Sequence, residues 1–346
     1  MKRVALASYG MSGEIFHAPL IEANPAFELY KVLERNRNES VKRYPHVEVV
    51  KQYEDILEDK LVDVVVVNTP NIYHYEMGRQ ALEAGKHVVM EKPFTNTSEE
   101  AQKLTALAEE KNLLLTVFQN RRFDSDFMTA QKVLEQKVLG YLVEYEAHYD
   151  RYRNFIQQNT WKEESGPGSG ILYNLGSHMI DQALVLFGMP RGITAKLAIQ
   201  REGGQAHDSY HILMNYDSHQ VVLKSSYLVR DEGPRYKILG NLGTFTKYGL
   251  DTQEDCLKDG QVPIGDDWGV EPPEIWGTLD TEMDGLHFMG EVESEKGNYM
   301  LFYDNLAQAI RGEAPLEVKA EEAMHVIRLI ELAIKSHQEK REIEVA

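Results

Sequence analysis

Residues 87–93 read His87-Val88-Val89-Met90-Glu91-Lys92-Pro93, a short apolar strand that stops on an acid, a base and a proline. In open α/β sheets, ligands bind outside the carboxyl ends of the strands. A cation on a stiff strand end is well placed to hold a reacting oxygen. For the Glu-Lys-Pro tripeptide alone, a surface lysine at a turn is the plain alternative; the surrounding pattern weighs against it. Runs at 4–7, 29–33, 62–67 and 113–118 are equally short and either β-branched or apolar. Helical patterns lie between them, notably at 73–84 and 98–111. The second opens on a Thr97 cap followed by Glu99 and Glu100 in the first turn. Strand alternating with helix predicts βαβ units and a parallel sheet buried on both faces.

After residue 122 the pattern changes. Helices are expected at 127–138 and 172–187, and a strand at 141–149. Alternating runs follow at 192–200, 210–216, 220–229 and 236–240, joined by short turns. Such a series predicts a largely antiparallel sheet in a second domain. The expected domains are 1–122 and 123–346. Residues 251–297, rich in acids, glycine and proline, read as a long irregular excursion: a lid, an interface or a solvated loop. Helices at 299–311 and 320–340 close the chain.

Composition narrows the function classes. A net charge of −18 argues against a nucleic-acid surface and suits small-molecule partners. The one cysteine, Cys256, excludes an internal disulfide and a cysteine-based zinc site, and no metal is expected. No apolar run approaches the ~20 residues of a membrane span. The basic-then-apolar N-terminus is interrupted by Gly10 and Glu14, so it reads as a first core strand and not a signal peptide. A cytoplasmic protein is the expectation.

The first strand runs into Ser8-Tyr9-Gly10-Met11-Ser12-Gly13-Glu14. The dinucleotide fingerprint is Gly-x-Gly-x-x-Gly between strand and helix. Gly10 and Gly13 occupy its second and third positions, and Ser8 replaces the first. Gly10 lets backbone approach a pyrophosphate, and Gly13 lets helix pack on strand. Two glycines alone also fit a simple tight turn; their place at the end of strand one favours the nucleotide. An acid about 20 residues past the glycines binds ribose hydroxyls in NAD enzymes, and Glu34 fits. Arg35 and Arg37 follow at once, and an arginine there holds the 2′-phosphate of NADP. The signals conflict, with a small lean to NAD; a solvated charge pair is the alternative for the arginines. Thr69, Pro70 and Asn71 sit at another strand's carboxyl edge, where Thr and Asn contact ribose or pyrophosphate. His74 falls in the next helix turn, with a structural role equally open.

Residues 172–182 read Leu172-Tyr173-Asn174-Leu175-Gly176-Ser177-His178-Met179-Ile180-Asp181-Gln182. Asn174, His178 and Asp181 fall at i, i+4 and i+7, one face of a helix. A lone histidine is more often a satisfied core residue. One flanked a turn either side by hydrogen-bonding groups has partners to fix its tautomer.

Together these motifs carry a resemblance. Gly10 and Gly13, the 69–74 and 84–88 segments, Glu91-Lys92-Pro93, the 173–181 segment and the tail around 321–327 appear in order and at matching spacing. The chain resembles the glucose-fructose oxidoreductase / inositol dehydrogenase / rhizopine catabolism family along nearly its whole length. The 12–20 segment, Asn120-Arg121-Arg122, Arg151-Tyr152-Arg153, Gly188-Met189-Pro190 and Trp268-Gly269 resemble its scyllo-inositol 2-dehydrogenase branch. The resemblance implies a Rossmann domain binding NAD or NADP through Gly10, Ser12, Gly13, Glu34, Arg35, Thr69, Pro70, Asn71, His74, Glu91 and Lys92. A second α/β domain with a large open, mainly antiparallel sheet would follow. It implies catalysis by Lys92, His178 and Asn174, with a Lys-Pro bond often cis. His178 would move the hydroxyl proton while Lys92 holds the same oxygen.

Asn174 departs from the family's aspartate. Asp181 or Asp150 would compensate, or the imidazole acts mainly as a hydrogen-bonding group, or the activity is weak or altered. Arg122, Tyr152, Arg153 and Trp161 are candidate contacts to a small polyol or sugar, alongside His178; core packing and interdomain salt bridges are the alternatives. A homo-dimer or homo-tetramer is expected. The rival readings are an NAD(P)-sensing regulatory protein and a same-fold dehydrogenase for an aldose or a dihydrodiol.

Overall fold

The computed structural model describes residues 1–158 and 160–345, with the side chain of Trp161 outside the described set. The chain forms two compact units. The first comprises Met1–Phe123, Thr252–Trp268 and Asn298–His325; the second comprises Asp124–Asp251, Gly269–Gly297 and Val326–Ala346.

The first unit holds a six-stranded sheet: β1 (Lys2–Leu6), β2 (Phe27–Leu33), β3 (Glu48–Val50), β4 (Val64–Val67), β5 (His87–Met90) and β6 (Leu115–Val117). All pairings are parallel, in the order β3-β2-β1-β4-β5-β6. That order reverses direction between β1 and β4, which is where a doubly wound sheet opens its ligand crevice. Covered on both faces, β4 is buried at every residue, so its sequence is valine throughout. The capping box expected at Thr97 is present, Thr97 accepting from the Glu100 N–H and Glu100 reaching back.

Assigning everything after 122 to the second domain needs correction: 252–268 and 298–325 pack with the first unit. The reason is aromatic. Tyr299, Phe302 and Tyr303 share a core with Phe16, Phe27 and Phe118, with Phe118 and Phe302 rings edge-on at 5.0 Å.

The second unit carries a nine-stranded sheet: β7 (Leu142–His148), β8 (Gly192–Ala198), β9 (Ser209–Asn215), β10 (Gln220–Ser226), β11 (Tyr236–Gly240), β12 (Gly243–Lys247), β13 (Gly277–Met283), β14 (Leu286–Val292) and β15 (Ile343–Glu344). The order is β14-β13-β12-β11-β7-β10-β9-β8-β15, antiparallel except for β7 with β10. Residues 251–297 are therefore not one irregular excursion. They include a helix, Gln253–Lys258, and the hairpin β13–β14. Asp284 and Gly285 both take positive φ, the geometry of a tight two-residue hairpin turn. Lys247 and Glu271, both without exposed side-chain surface, are ion-paired at 2.8 Å and tie the middle of the segment to the end of β12. Among the described residues, no helix is long and apolar enough to cross a membrane.

Candidate active site

The glycine motif follows β1 directly. Asn68, one residue past β4, donates from Nδ2 to the Ser8 carbonyl at 2.8 Å and so bridges the two strand ends at the switch point. Gly13 is buried beneath this bridge. A Cβ there would lie 2.5 Å from the Ser8 carbonyl oxygen and 2.7 Å from Asn68 Nδ2, so no larger residue fits. A Cβ on Gly10 would meet only Ser8 Oγ, at 3.6 Å; Gly10 is exposed, leaving its backbone open to approach. Ser8, in place of the first glycine, accepts the Gly10 N–H at 3.2 Å and shapes the turn. Ser12 precedes Gly13 within a continuous helical run over 11–23, offering that run's first N–H groups.

Asn68 Oδ1 and Thr69 Oγ1 are buried without a hydrogen-bond partner. Buried polar atoms normally find one; a ribose hydroxyl at this crevice would donate to Asn68 Oδ1, and a ribose or pyrophosphate oxygen would accept from Thr69 Oγ1. The residues therefore fit a dinucleotide. Pro70 is exposed and Asn71 buried at the start of a 3-10 turn, Asn71–Tyr73.

Glu34 behaves differently from expectation. Its Oε2 accepts the Glu39 N–H at 2.7 Å, and its Oε1 accepts the Ser40 N–H at 2.9 Å and the Ser40 hydroxyl at 2.6 Å. Free N–H groups at the start of the short helix Ser40–Arg43 draw the carboxylate inward. Burial pushes this carboxyl up, yet the Ser40 and Glu39 hydrogen bonds and the Lys51 charge hold it below the ordinary range. Lys51 Nζ also grips the Glu34 and Arg37 carbonyls at 2.9 and 2.8 Å. The loop is pinned, and Arg35 and Arg37 project from it exposed.

At the end of β5, Glu91 N–H bonds the Val67 carbonyl at 3.0 Å, so Glu91 and Lys92 stand beside Asn68 and Thr69. The Lys92–Pro93 peptide is cis. Lys92 is half-buried, and its N–H donates to Glu91 Oε2 at 2.9 Å. Glu91 Oε1 meets His17 Nε2 at 3.1 Å, and His17 Nδ1 meets Tyr303 Oη at 2.7 Å. His74 is buried. Its Nδ1 faces the Pro93 carbonyl at 2.9 Å and its Nε2 the Thr69 carbonyl at 2.9 Å. Its ring thus ties the two strand-end loops together and is spent on backbone, in place of the cofactor contact expected from sequence. Burial pushes its pKa down.

In the second unit, a helical run over 170–187 carries the histidine. It begins with a π-helical stretch, Leu172–Gly176, and continues as Ser177–Phe187. Such bulges are frequent at functional sites. Wider turns there make Asn174 and His178 slightly less than one turn apart. Asn174 is the one residue between 170 and 183 that is not buried. Its Nδ2 donates to Tyr227 Oη at 3.4 Å. A Cβ on Gly176 would sit 2.8 Å from Leu172 Cδ1, with the Tyr210 ring of β9 at 3.4 Å. One turn past His178, Gln182 Oε1 accepts from Arg235 Nη2 at 3.2 Å and Tyr236 Oη at 3.0 Å. These contacts fix the rotation of the helix about His178. Asp150, one candidate to replace the missing charge, is committed elsewhere: it takes His148 Nδ1 at 3.1 Å and the Ser226 N–H at 2.9 Å.

The other candidate contacts separate. Tyr152 Oη accepts from Arg230 at 2.7 Å, and the two stack. Arg153 lies over the Tyr227 ring, 5.8 Å to its centre. Arg122 is buried and ion-paired at 2.8 Å to the partly exposed Glu322 within the first unit; that carboxylate accounts for an arginine there without a substrate. Trp161 falls outside the described side chains. Sequence reading assigned no role to His17, Tyr303 or Tyr227. Only the phrase Phe16-His17-Ala18-Pro19 marked the first, and nothing local marked Tyr303, 286 residues away.

Known proteins bear on this geometry. A model described as an oxidoreductase family's NAD-binding Rossmann fold matches residues 2–119, and the same family's C-terminal alpha/beta domain matches 131–345. The scyllo-inositol 2-dehydrogenase (NADP(+)) IolW of Bacillus subtilis is 42% identical over 99% of this chain and 95% of its own length. The oxidoreductase YdgJ of Escherichia coli is 40% identical over 96% of each. Among solved structures, an oxidoreductase from Bacillus subtilis superposes with a TM-score of 0.96 at 42% identity, covering 99% of this chain and 98% of that one. Another from Bacteroides fragilis gives 0.93 at 44%, covering 100% of both.

Proposed function

The chain belongs to the oxidoreductase family of NAD-binding Rossmann and C-terminal alpha/beta domains, and from that premise we propose that it interconverts a secondary hydroxyl and a ketone on a cyclic polyol or sugar, scyllo-inositol first among them. The observation that carries the reading is the half-buried Lys92 at the end of β5, beside the unsatisfied Asn68 and Thr69 atoms at the switch point. The substrate class comes from the name of the Bacillus relative. Gly10, Ser12, Gly13, Asn68 and Thr69 hold the dinucleotide, whose nicotinamide supplies hydride transfer when bound. Lys92 stabilises negative charge on the substrate oxygen. His178 takes the hydroxyl proton during oxidation and returns it in reduction. Asn174, steadied by Tyr227, orients the imidazole. Incubating the protein with NAD⁺ or NADP⁺ and a polyol panel, and following absorbance of the reduced nicotinamide, tests this. Cofactor binding with no turnover on any polyol, sugar or ketone would overturn it in favour of a nucleotide sensor.

NADP is the preferred cofactor in this reading. Glu34 is turned into its own loop, so it neither reads the ribose nor opposes a 2′-phosphate, while Arg35 and Arg37 stand free of it. The lean to NAD drawn from Glu34 alone is thereby reversed. Arg35→Ala should lower kcat/KM with NADP⁺ by roughly tenfold to a hundredfold, the worth of a charge-assisted hydrogen bond, and leave NAD⁺ nearly unchanged. An unmoved ratio would remove Arg35 from cofactor choice.

We also propose a homo-dimer or homo-tetramer through the second unit's sheet. Leu286 and Phe288, on one face of β14, and Met289, on the other, are exposed, the first at 74%, and exposed apolar side chains on an edge strand suit an association surface. Light scattering at micromolar concentration should give a multiple of the 39.6 kDa chain mass; the monomer mass would rule the assembly out.

A further inference from the structure

His17 has no exposed surface, and it sits between two polar groups far apart in the chain. Nδ1 is 2.7 Å from Tyr303 Oη and Nε2 is 3.1 Å from Glu91 Oε1. A carboxylate only accepts, so Nε2 carries the hydrogen. Nδ1 then accepts the Tyr303 hydroxyl in the neutral ring, or donates to it in the imidazolium. The other Glu91 oxygen accepts the Lys92 N–H. One carboxylate therefore joins a buried imidazole to the residue carrying the ammonium. All four residues lie in the first unit.

Burial pushes the Glu91 carboxyl up. The His17 hydrogen bond, followed by the charges of His17, Lys92 and His74, outweighs that and holds it below the ordinary range. These are the groups that face Glu91: His17 from the helical run after β1, His74 from the helix His74–Glu83, and Lys92 on its own strand end. Tyr303, from the helix Met300–Ile310, acts through His17. Were the His17 hydrogen bond removed, the largest influence opposing burial would be lost and the Glu91 carboxyl would shift upward.

We propose that His17 is a positioning residue for Lys92: clamped by Tyr303, it keeps Glu91 a carboxylate turned onto the Lys92 backbone, and that charge keeps Lys92 an ammonium at the end of β5. The inference rests on the reading of Lys92 as the group that holds the substrate oxygen. A histidine that merely filled space beside Phe118, whose ring is 4.5 Å away, would leave the titration of Lys92 unmoved.

Competitive labelling of the intact protein with acetic anhydride across pH, read residue by residue by peptide mass spectrometry, measures that titration without turnover. The exposed Lys103, paired with Glu99, is the internal control. In Glu91→Gln and His17→Leu the Lys92 midpoint should fall by about one pH unit, a tenfold change in charged fraction beyond the midpoint. The double variant should fall no further than either single. His17→Gln, whose amide can donate to Glu91 and accept from Tyr303, should recover most of the shift. Should the leucine variant fail to fold, Tyr303→Phe removes one oxygen from a packed ring and should shift the midpoint the same way by less. A midpoint unmoved in His17→Leu, or in Tyr303→Phe where that variant stands in, overturns the proposal. So does a shift in Glu91→Gln that His17→Leu does not share. Failure of every polyol to react would sink the proposed function and leave this measurement standing.

Discussion

Lys92→Ala should lower kcat on the best polyol by roughly a thousandfold, as loss of a preorganised charge at a developing oxyanion does, while cofactor affinity changes far less. In the proposed function the dinucleotide would be held by other groups, the Gly10–Gly13 turn, Asn68 and Thr69 at the ends of β1 and β4. Lys92 stands past the end of β5, where the chain turns through Pro93. Its contribution is therefore made in the transition state and not in ground-state cofactor binding, so kcat and kcat/KM should fall together. Lys92→Arg should recover little, because the planar guanidinium cannot present the compact charge of an ammonium from the same stem. Stopped-flow turnover beside fluorescence titration of the reduced cofactor separates the two effects. A variant with near wild-type kcat would take Lys92 out of the chemistry.

The first unit's sheet is legible in sequence because a parallel strand covered on both faces must be apolar along its length, as Val64–Val67 is. The crevice at β1 and β4 follows from strand order and from Gly13, where the Ser8 carbonyl leaves no room for a Cβ. What sequence hides is long-range. Nothing near His17 announces a tyrosine 286 residues on, and nothing near residue 299 says that its helix completes the first unit's core. The side-chain role of Glu34 also misleads, since an acid at the end of β2 reads as a ribose ligand until the Glu39 N–H and the Ser40 N–H and hydroxyl are seen donating to its carboxylate. The hairpin β13–β14 is a different case. Asp284-Gly285 between alternating runs is a strong local signal, outweighed by the acid- and glycine-rich composition around it.

His178→Gln should cost about a hundredfold to ten-thousandfold in kcat near neutral pH, the usual worth of a general base, and the same base should gain from Asn174→Asp. Glutamine keeps a hydrogen-bonding group near the imidazole position but takes up no proton, so the loss isolates proton transfer from positioning. The gain at 174 follows from charge. In the proposed mechanism His178 becomes imidazolium as it accepts the hydroxyl proton, and a carboxylate at position 174 would offer a counter-ion in place of the asparagine's dipole. Asp150 cannot fill that place while it holds His148 and the Ser226 N–H. Tyr227, which now accepts from the Asn174 amide, can donate to an aspartate, so the new side chain keeps its anchor. The π-helical stretch holds position 174 partly exposed on an otherwise buried run, so the carboxylate needs no full desolvation. A favoured imidazolium moves the limb of kcat set by deprotonation of the base to higher pH, so the rate gain should be largest above that raised limb, where the variant's base is deprotonated too. Profiles of kcat against pH for both variants and wild type decide it. A flat or lower rate in Asn174→Asp at every pH would mean that asparagine suits this enzyme's own chemistry and that His178 works mainly as a hydrogen-bonding group. A His178→Gln variant close to wild type would remove the base from the mechanism altogether.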